Sequence, residues 1–136
     1  MEIRRLTAAD AALLDHVDDD VFDLPVQPAL AAQFLSRPDH LLVVARVDGV
    51  VVGMASGVIY LHPDKPLQLF INEVGVSARM EGRGIGTALM QSLLQHGRDL
   101  GCVEAWVATE TDNTRARALY AKVGGQRKPE PAVVYV

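Results

Sequence analysis

The sequence has one cysteine, few aromatic residues and no long hydrophobic run. Cys102 alone cannot form an intrachain disulfide, which excludes a disulfide-stabilised scaffold and agrees with a reducing compartment. Aromatic residues make up 5% of the chain and do not alternate with basic residues, which argues against a nucleic-acid-binding surface. No apolar run reaches the ~18 residues of a membrane helix, and no signal-peptide core follows residues 1–5. We therefore expect a cytoplasmic protein that binds neither membrane nor nucleic acid.

The chain has the length of one domain, and its charge is unevenly distributed. Its 136 residues are 49% hydrophobic, enough for a single core over residues 1–136. Residues 1–75 have a balance of −6, whereas residues 76–136 have a balance of +2. Either chance or two sites of opposite charge would produce this difference. The four histidines show no metal-ligand spacing, so we expect no metal site.

Hydrophobic periodicity predicts the element order β, α, α, β, β, β, α, β, α, β, typical of an α/β domain. After a strand that begins at Glu2, a helix is predicted from Thr7 to about Val21 and a short helix over residues 29–35. The turn Asp48-Gly49 joins strands over 41–47 and 50–60. The remaining elements are a strand over 67–76, a helix over 84–99, a strand over 102–109, a helix that ends at Lys122 and a strand over 131–136.

The loop Gly82-Arg83-Gly84-Ile85-Gly86-Thr87 joins a predicted strand to a predicted helix. Alternate glycines allow close approach of the backbone to a ligand, and the first helical turn offers free N–H groups. This arrangement predicts a phosphate site, with a simple tight turn as the alternative. A dinucleotide fingerprint is excluded because its third glycine would fall on Thr87 or Leu89, and no Walker Gly-Lys-Ser/Thr occurs.

Two segments resemble the GNAT superfamily of acetyl-CoA-dependent N-acetyltransferases. The glycine loop resembles the pyrophosphate loop of that superfamily and follows the matching strand end Val74-Gly75-Val76. The segment Asn113-Thr114-Arg115-Ala116-Arg117-Ala118-Leu119-Tyr120 resembles its Asn-x-x-Ala-x-x-Leu-Tyr helix, although Ala116 and Leu119 would also suit a core. The resemblance implies a single α/β domain with helices on both faces of a mixed, mostly antiparallel sheet, splayed between the fourth and fifth strands. Glu81 stands where the superfamily has Arg or Gln, and we expect it to face solvent near Arg83.

The resemblance also implies that the chain binds acetyl-CoA. Main-chain groups of the strand would bind the pantetheine arm, and the glycine loop would bind the pyrophosphate. The implied cofactor-binding residues are Val74, Val76, Gly82, Arg83, Gly84, Ile85, Gly86, Thr87, Asn113, Ala116 and Tyr120. Candidates for the 3′-phosphate are Arg83, Arg115 and Lys122.

Two residues are predicted to move protons. Glu73 precedes the strand end and is the candidate general base, unless it is only an exposed strand carboxylate. By resemblance, Tyr120 is the candidate acid that protonates the departing thiolate.

Carboxylates dominate the predicted acceptor side. Residues 10–23 contain six aspartates and no Lys or Arg, which suits a polycationic substrate. The predicted substrate-binding residues are Asp19, Asp20, Asp23, Glu73, Glu110 and Asp112. Solvated acidic side chains are the alternative.

Within the superfamily the chain most resembles the type I aminoglycoside 3-N-acetyltransferases. The resemblance rests on Glu73, Glu110 and Tyr120 and on the loop at Phe22-Asp23. It implies a homodimer that acetylates an aminoglycoside amine by direct attack in a ternary complex. The alternatives are another amine (a polyamine, a small metabolite or a protein N-terminus) and a non-catalytic acetyl-CoA-binding module.

Overall fold

A mixed five-stranded sheet forms the centre of the computed structural model, which describes residues 1–136. The strands lie side by side in chain order: β1 (Glu2–Arg5), β2 (His40–Val47), β3 (Val50–His62), β4 (Lys65–Val76) and β5 (Glu104–Trp106). The pairs from β1 to β4 are antiparallel, and β5 is parallel to β4. The mixed, mostly antiparallel sheet is therefore confirmed.

Helices cover both faces of the sheet, as predicted. They are α1 (Pro28–Ser36), α2 (Ile85–Asp99) and α3 (Thr114–Lys122), with short 3-10 helices over Ala8–Asp15 and Ala78–Met80. None of the helices is both long and apolar enough to cross a membrane.

The two faces of the sheet pack into two separate cores. On one face, Leu41 and Val43 of β2 pack with Leu89 and Leu93 of α2. On the other face, Leu42 and Val44 of β2 pack with α1 and with the part of the chain that precedes α1. The buried residues of those elements are Leu6, Leu14, Val21 and Leu35. Because β2 is covered on both sides, its residues 41–45 form an unbroken buried run.

A bulge in β4 determines which of its side chains face the candidate site. Ser56 is opposite Glu73, but Gly57 is opposite Ile71, so Asn72 is the extra residue. Ile71 and Val74 consequently both pack on the α2 side. Glu73 and Gly75 lie on the opposite face, next to the stretch of chain from Val21 to Asp23.

The sheet opens between its fourth and fifth strands, as expected. β5 pairs with β4 only from Gln68↔Glu104 to Phe70↔Trp106. β4 then continues to Val76 without β5 beside it. The result is a gap between the two strands at the end of β4.

Three predicted elements were wrong in extent or type. The helix predicted to reach Val21 is a 3-10 helix that ends at Asp15, because Val17 and Asp18 pair with Val51 of β3 instead. The strand predicted over 102–109 is reduced to Glu104–Trp106, because the chain leaves β4 at the gap. Residues 131–136 form no strand; they are exposed and have no neighbouring strand to pair with.

Candidate active site

The free edge of β4 faces the gap. The N–H of Ser77 donates to the Val52 carbonyl oxygen of β3 at 2.8 Å. Main-chain groups alternate in direction along a strand, so those of Val76 and Val74 point the other way, towards the gap. This edge can pair with the amides of an extended ligand, as the resemblance implied for both valines.

The glycine loop forms an open cradle of main-chain N–H groups. Gly82 and Gly84 have φ angles of 75° and 77°, and a Cβ atom at either position would have nothing within 4 Å. The first hydrogen bond inside α2 runs from the Ala88 N–H to the Gly84 carbonyl oxygen at 3.0 Å. The N–H groups of residues 85–87 therefore have no acceptor within the helix, and the helix dipole favours an anion there. The cradle fits a pyrophosphate group.

The start of α3 lies beside this cradle. Asn113 caps α3, because its Oδ1 accepts the Ala116 N–H at 3.1 Å. The Leu119 Cδ2 atom lies 3.4 Å from where a Cβ on Gly86 would stand. Glu81 pairs with the guanidinium of Arg115, and not with Arg83 as expected from the sequence. The ion pair balances the carboxylate that departs from the superfamily pattern.

Tyr120 lies on the α2 side of the sheet, where it packs against the core. It is half-buried, and burial raises the pKa of its hydroxyl above the usual value, so it is protonated at neutral pH. Tyr120, Ile71 and Val107 line a cavity of about 270 Å³ between β5, α2 and α3. Ile71 is the first residue of β4 beyond its pairing with β5, so the cavity that Tyr120 lines reaches the point where the strands separate.

Glu73 lies on the opposite face of β4, close to Asp23. Burial is the main cause of a raised pKa for the Glu73 carboxyl, and the negative charge of Asp23 raises it further. The main-chain N–H of Asp23 lies close enough to the Glu73 carboxyl to offset part of this increase in its pKa. A half-buried carboxylate with a raised pKa beside a gap is a candidate general base.

The other predicted acceptor residues are not brought to Glu73. Asp19, Glu110 and Asp112 are exposed. Asp20 accepts the main-chain N–H of Ala78 at 2.9 Å, and this hydrogen bond lowers the pKa of its carboxyl. Only Asp23 of the predicted aspartates lies against the candidate base.

Sequence reasoning missed three residues beside the site. Asp18 accepts a hydrogen bond from Arg79 Nε at 2.6 Å, and the pKa of Asp18 is held low chiefly by that bond. Ser77 is buried between the same segments. The run Asp18-Asp19-Asp20 was the available signal, but the sequence did not show which of these carboxylates have partners or what the partners are.

Aromatic side chains were also missed. The rings of Phe70 and Trp106 have centroids 4.5 Å apart, and Trp106 Nε1 donates to the Tyr60 hydroxyl at 2.9 Å. By strand register they lie on the same face as Glu73, where β4 and β5 still pair.

Comparison with known proteins agrees with this geometry. Residues 9–125 match the model of the acetyltransferase (GNAT) family. The chain is 37% identical over 127 residues to the N-alpha-acetyltransferase RimI of Mycobacterium tuberculosis, a match that covers 92% of this chain and 78% of that protein. It is 40% identical over 85 residues to the L-2,4-diaminobutyric acid acetyltransferase of Nocardia farcinica, covering 62% of this chain and 43% of that protein.

A solved structure shares the fold. AAC(6')-Iy, in complex with the bisubstrate analogue CoA-S-monomethyl-acetylneamine, superposes with a TM-score of 0.81. The match covers 99% of this chain and 96% of that chain at 20% identity.

Proposed function

The chain belongs to the GNAT acetyltransferase family and is an acetyl-CoA-dependent N-acetyltransferase, and we propose that its acceptor is a primary amine of a cationic small molecule. The observation that carries this proposal is the pair Glu73 and Asp23, a half-buried base beside a second carboxylate at the gap. A cationic amine is the ligand that such a pair attracts and orients. The family match supports an enzyme rather than a module that only binds acetyl-CoA.

Acetyl-CoA supplies the activated acetyl group as a thioester. The N–H groups of residues 85–87 would hold its pyrophosphate, and the main-chain groups of Val74 and Val76 its pantetheine arm. This placement leads from the glycine loop along the edge of β4 to the point where β5 separates. Bound in this way, acetyl-CoA would present its thioester to Glu73 from one face and to Tyr120 from the other.

Glu73 would act as the general base. An acceptor amine arrives as an ammonium ion and must lose a proton before its nitrogen can attack. Glu73 accepts that proton directly or through a water molecule, and its raised pKa makes it a stronger base than an exposed glutamate. Asp23 adds negative charge that favours the ammonium form of the acceptor during binding.

Tyr120 would act as the general acid. Its hydroxyl is protonated because burial raises its pKa, and it donates that proton to the departing sulfur. Cys102 is unsuited to an acyl-enzyme route, since burial raises the pKa of its thiol and disfavours the thiolate. Direct attack by the amine in a ternary complex fits these residues.

An aminoglycoside, with the 3-N amine as the expected position, is one polycationic acceptor that suits the acidic surroundings. Asp19, Glu110 and Asp112 are exposed and free to attract further ammonium groups. The relatives at 37% and 40% identity are named for other amines, so the 3-N position rests on the sequence resemblance alone. The homodimer and the cytoplasmic location also stay predictions.

The second candidate acceptor is the α-amine of a protein N-terminus. It is favoured by the relative that covers 92% of this chain, which is named as an N-alpha-acetyltransferase. The aromatic side chains of Phe70 and Trp106, on the face of Glu73, offer an apolar surface for the residues that follow such an amine.

The experiment is an acceptor panel. Release of the CoA thiol is measured with an aminoglycoside, spermidine, L-2,4-diaminobutyrate and a peptide with a free N-terminus, with Glu73→Gln as the matched control. We expect the highest kcat/KM for the polycationic acceptors, decreasing as salt is added. Faster turnover of the peptide would replace this proposal by the second candidate. Acetyl-CoA binding without turnover of any small cationic amine would contradict it.

A further inference from the structure

The acidic segment, residues 17–23, is fixed to the sheet along its length. Val51 of β3 donates its N–H to the His16 carbonyl oxygen at 2.8 Å and accepts the Asp18 N–H at 3.0 Å. Val21 is almost fully buried, with 2% of its surface exposed. The segment is therefore part of the packed structure.

One end of the acidic segment holds the residues that lead into the glycine loop. Asp18 pairs with Arg79 at 2.6 Å, and Asp20 accepts the Ala78 N–H at 2.9 Å. Arg79 is the main cause of the lowered pKa of Asp18 and the Ala78 N–H that of Asp20, and the buried Ser77 side chain lies close enough to lower both pKa values further. Residues 77–79 connect β4 to the loop, so these contacts set the place where the cradle for the pyrophosphate begins.

The middle of the acidic segment lies directly on β4. A Cβ atom on Gly75 would stand 2.1 Å from the Val21 carbonyl oxygen, which is closer than any real contact. Gly75 lies between Val74 and Val76, whose main-chain groups face the gap. The segment therefore also packs against the stretch of β4 that would bind the pantetheine arm.

The other end of the acidic segment holds the candidate base. Val21, which packs on Gly75, places Asp23 next to Glu73, close enough for the Asp23 side-chain charge and main-chain N–H to act on the Glu73 carboxyl. One short stretch of chain thus contacts the entry to the cofactor cradle, the edge of β4 and the base.

We propose that the acidic segment is a positioning element that couples the acetyl-CoA cradle to Glu73, with Asp18 and Asp20 as its positioning residues. Their carboxylates serve the cofactor loop, although sequence reasoning grouped the segment with the acceptor. The proposal rests on Glu73 acting as the base in the proposed function. Coupling between two sites is reciprocal, so loosening the contacts at residues 77–79 changes the environment of Glu73 as well.

The test uses Asp18→Asn and Asp20→Asn, with Asp15→Asn as the matched control. Asp15 is exposed at the end of its 3-10 helix, and Asp15→Asn removes the same charge as each test variant. The first readout is the Kd for CoA, measured by calorimetry. The second is the pKa of the Glu73 carboxyl, followed by NMR of ¹³C-glutamate-labelled protein and assigned with Glu73→Gln. Neither readout needs an acceptor, so both can be measured even if no amine in the panel is acetylated.

Each test variant should weaken CoA binding roughly threefold to tenfold, because Asp18→Asn loses a partly exposed ion pair and Asp20→Asn keeps an acceptor for the Ala78 N–H but loses the charge that strengthens this hydrogen bond. The Glu73 pKa should fall towards the ordinary glutamate value in both, because a looser segment lessens burial and the repulsion from Asp23. Asp15→Asn should change neither quantity. Asp18→Glu, which keeps the charge opposite Arg79, should restore part of both.

Two outcomes would overturn the proposal. In the first, both variants keep the wild-type Kd and Glu73 pKa while only their Tm decreases, which is what a purely structural role would give. In the second, the Kd increases but the Glu73 pKa stays the same, which would limit both aspartates to the cofactor loop. If Asp20→Asn does not fold, Asp18→Asn decides alone, since its partner Arg79 is half-exposed.

Discussion

The carboxylate of Glu81 pairs with the guanidinium of Arg115, which joins the glycine loop to α3. Both side chains are partly exposed, at 39% and 70% respectively. An unpaired carboxylate at this position would repel a bound pyrophosphate. The ion pair reduces that repulsion while leaving the N–H groups of α2 free for the anion.

Arg115→Gln should raise the KM for acetyl-CoA, because it leaves Glu81 unpaired beside the pyrophosphate. Since the pair is at the surface, we expect a change of about twofold to fivefold at low salt, decreasing as salt is added. Glu81→Gln should lower the KM. The matched control is Arg127→Gln, an exposed cation that lies outside α3, beyond its C-terminal end. Equal KM values for Arg115→Gln and the control would contradict this role for the pair.

Glu73→Gln should lower kcat by about 10²-fold or more, the usual effect of removing a general base. In the wild type, kcat/KM for the amine should rise with pH through the raised pKa of Glu73, so the acidic limb lies above the ordinary glutamate pKa. The measurement is a pH–rate profile for both proteins. An acidic limb that persists unchanged in Glu73→Gln would assign the base to another group.

The same shift predicts the pH dependence of stability. The folded-state pKa of Glu73 is raised above the unfolded value, so its stabilising contribution is fully present below the unfolded pKa and is lost as pH rises through the folded pKa. Glu73→Gln stays neutral, so its Tm should exceed that of the wild type at neutral pH. The two should converge below about pH 4. A lower Tm for the variant at neutral pH would contradict the raised pKa.

Local sequence patterns sufficed to predict most of the fold and part of the site. The apolar run of β2, the Asp48-Gly49 turn and the position of the glycine loop before α2 each reflect neighbouring residues, and each was confirmed. Asn113 forms the predicted cap of α3 for the same reason.

Features that depend on distant residues could not be predicted. Asp20 accepts a hydrogen bond from the main-chain N–H of Ala78, 58 residues away, and no sequence pattern around Asp20 predicts this partner. The bulge at Asn72 places Ile71 and Val74 on the same face although they are three residues apart, and it is visible only in the pairing with β3. The strand predicted over 131–136 was wrong because β-branched composition does not supply a neighbouring strand.

Tyr120→Phe should lower kcat by about 10²-fold while the KM for acetyl-CoA changes less than about twofold. The change removes only the hydroxyl that would protonate the departing sulfur and keeps the ring that lines the cavity. Steady-state kinetics with saturating amine separates the two constants. Tyr135→Phe, in the exposed C-terminal residues, is the matched control. A kcat equal to that of the control would remove Tyr120 from the role of acid.

Gly75→Ala should destabilise the protein and lower its activity together. The new Cβ would stand 2.1 Å from the Val21 carbonyl oxygen, a backbone atom that moves only with the acidic segment. We expect the free energy of unfolding to decrease by about 2 kcal/mol. Because a displaced Val21 carries Asp23 away from Glu73, kcat/KM for the amine should fall even at temperatures where the variant is folded.

Gly86→Ala is the stability control for this variant. Its Cβ would meet the Leu119 Cδ2 atom at 3.4 Å, an ordinary contact with the end of a flexible side chain. Alanine inside a helix is more favourable than glycine by roughly 1 kcal/mol, so the Tm of Gly86→Ala should equal or exceed that of the wild type. Thermal denaturation compares the two directly. Equal stability of Gly75→Ala and Gly86→Ala would contradict tight packing of the acidic segment on β4. It would mean that the backbone at Val21 moves away from the new Cβ with little loss of folding free energy.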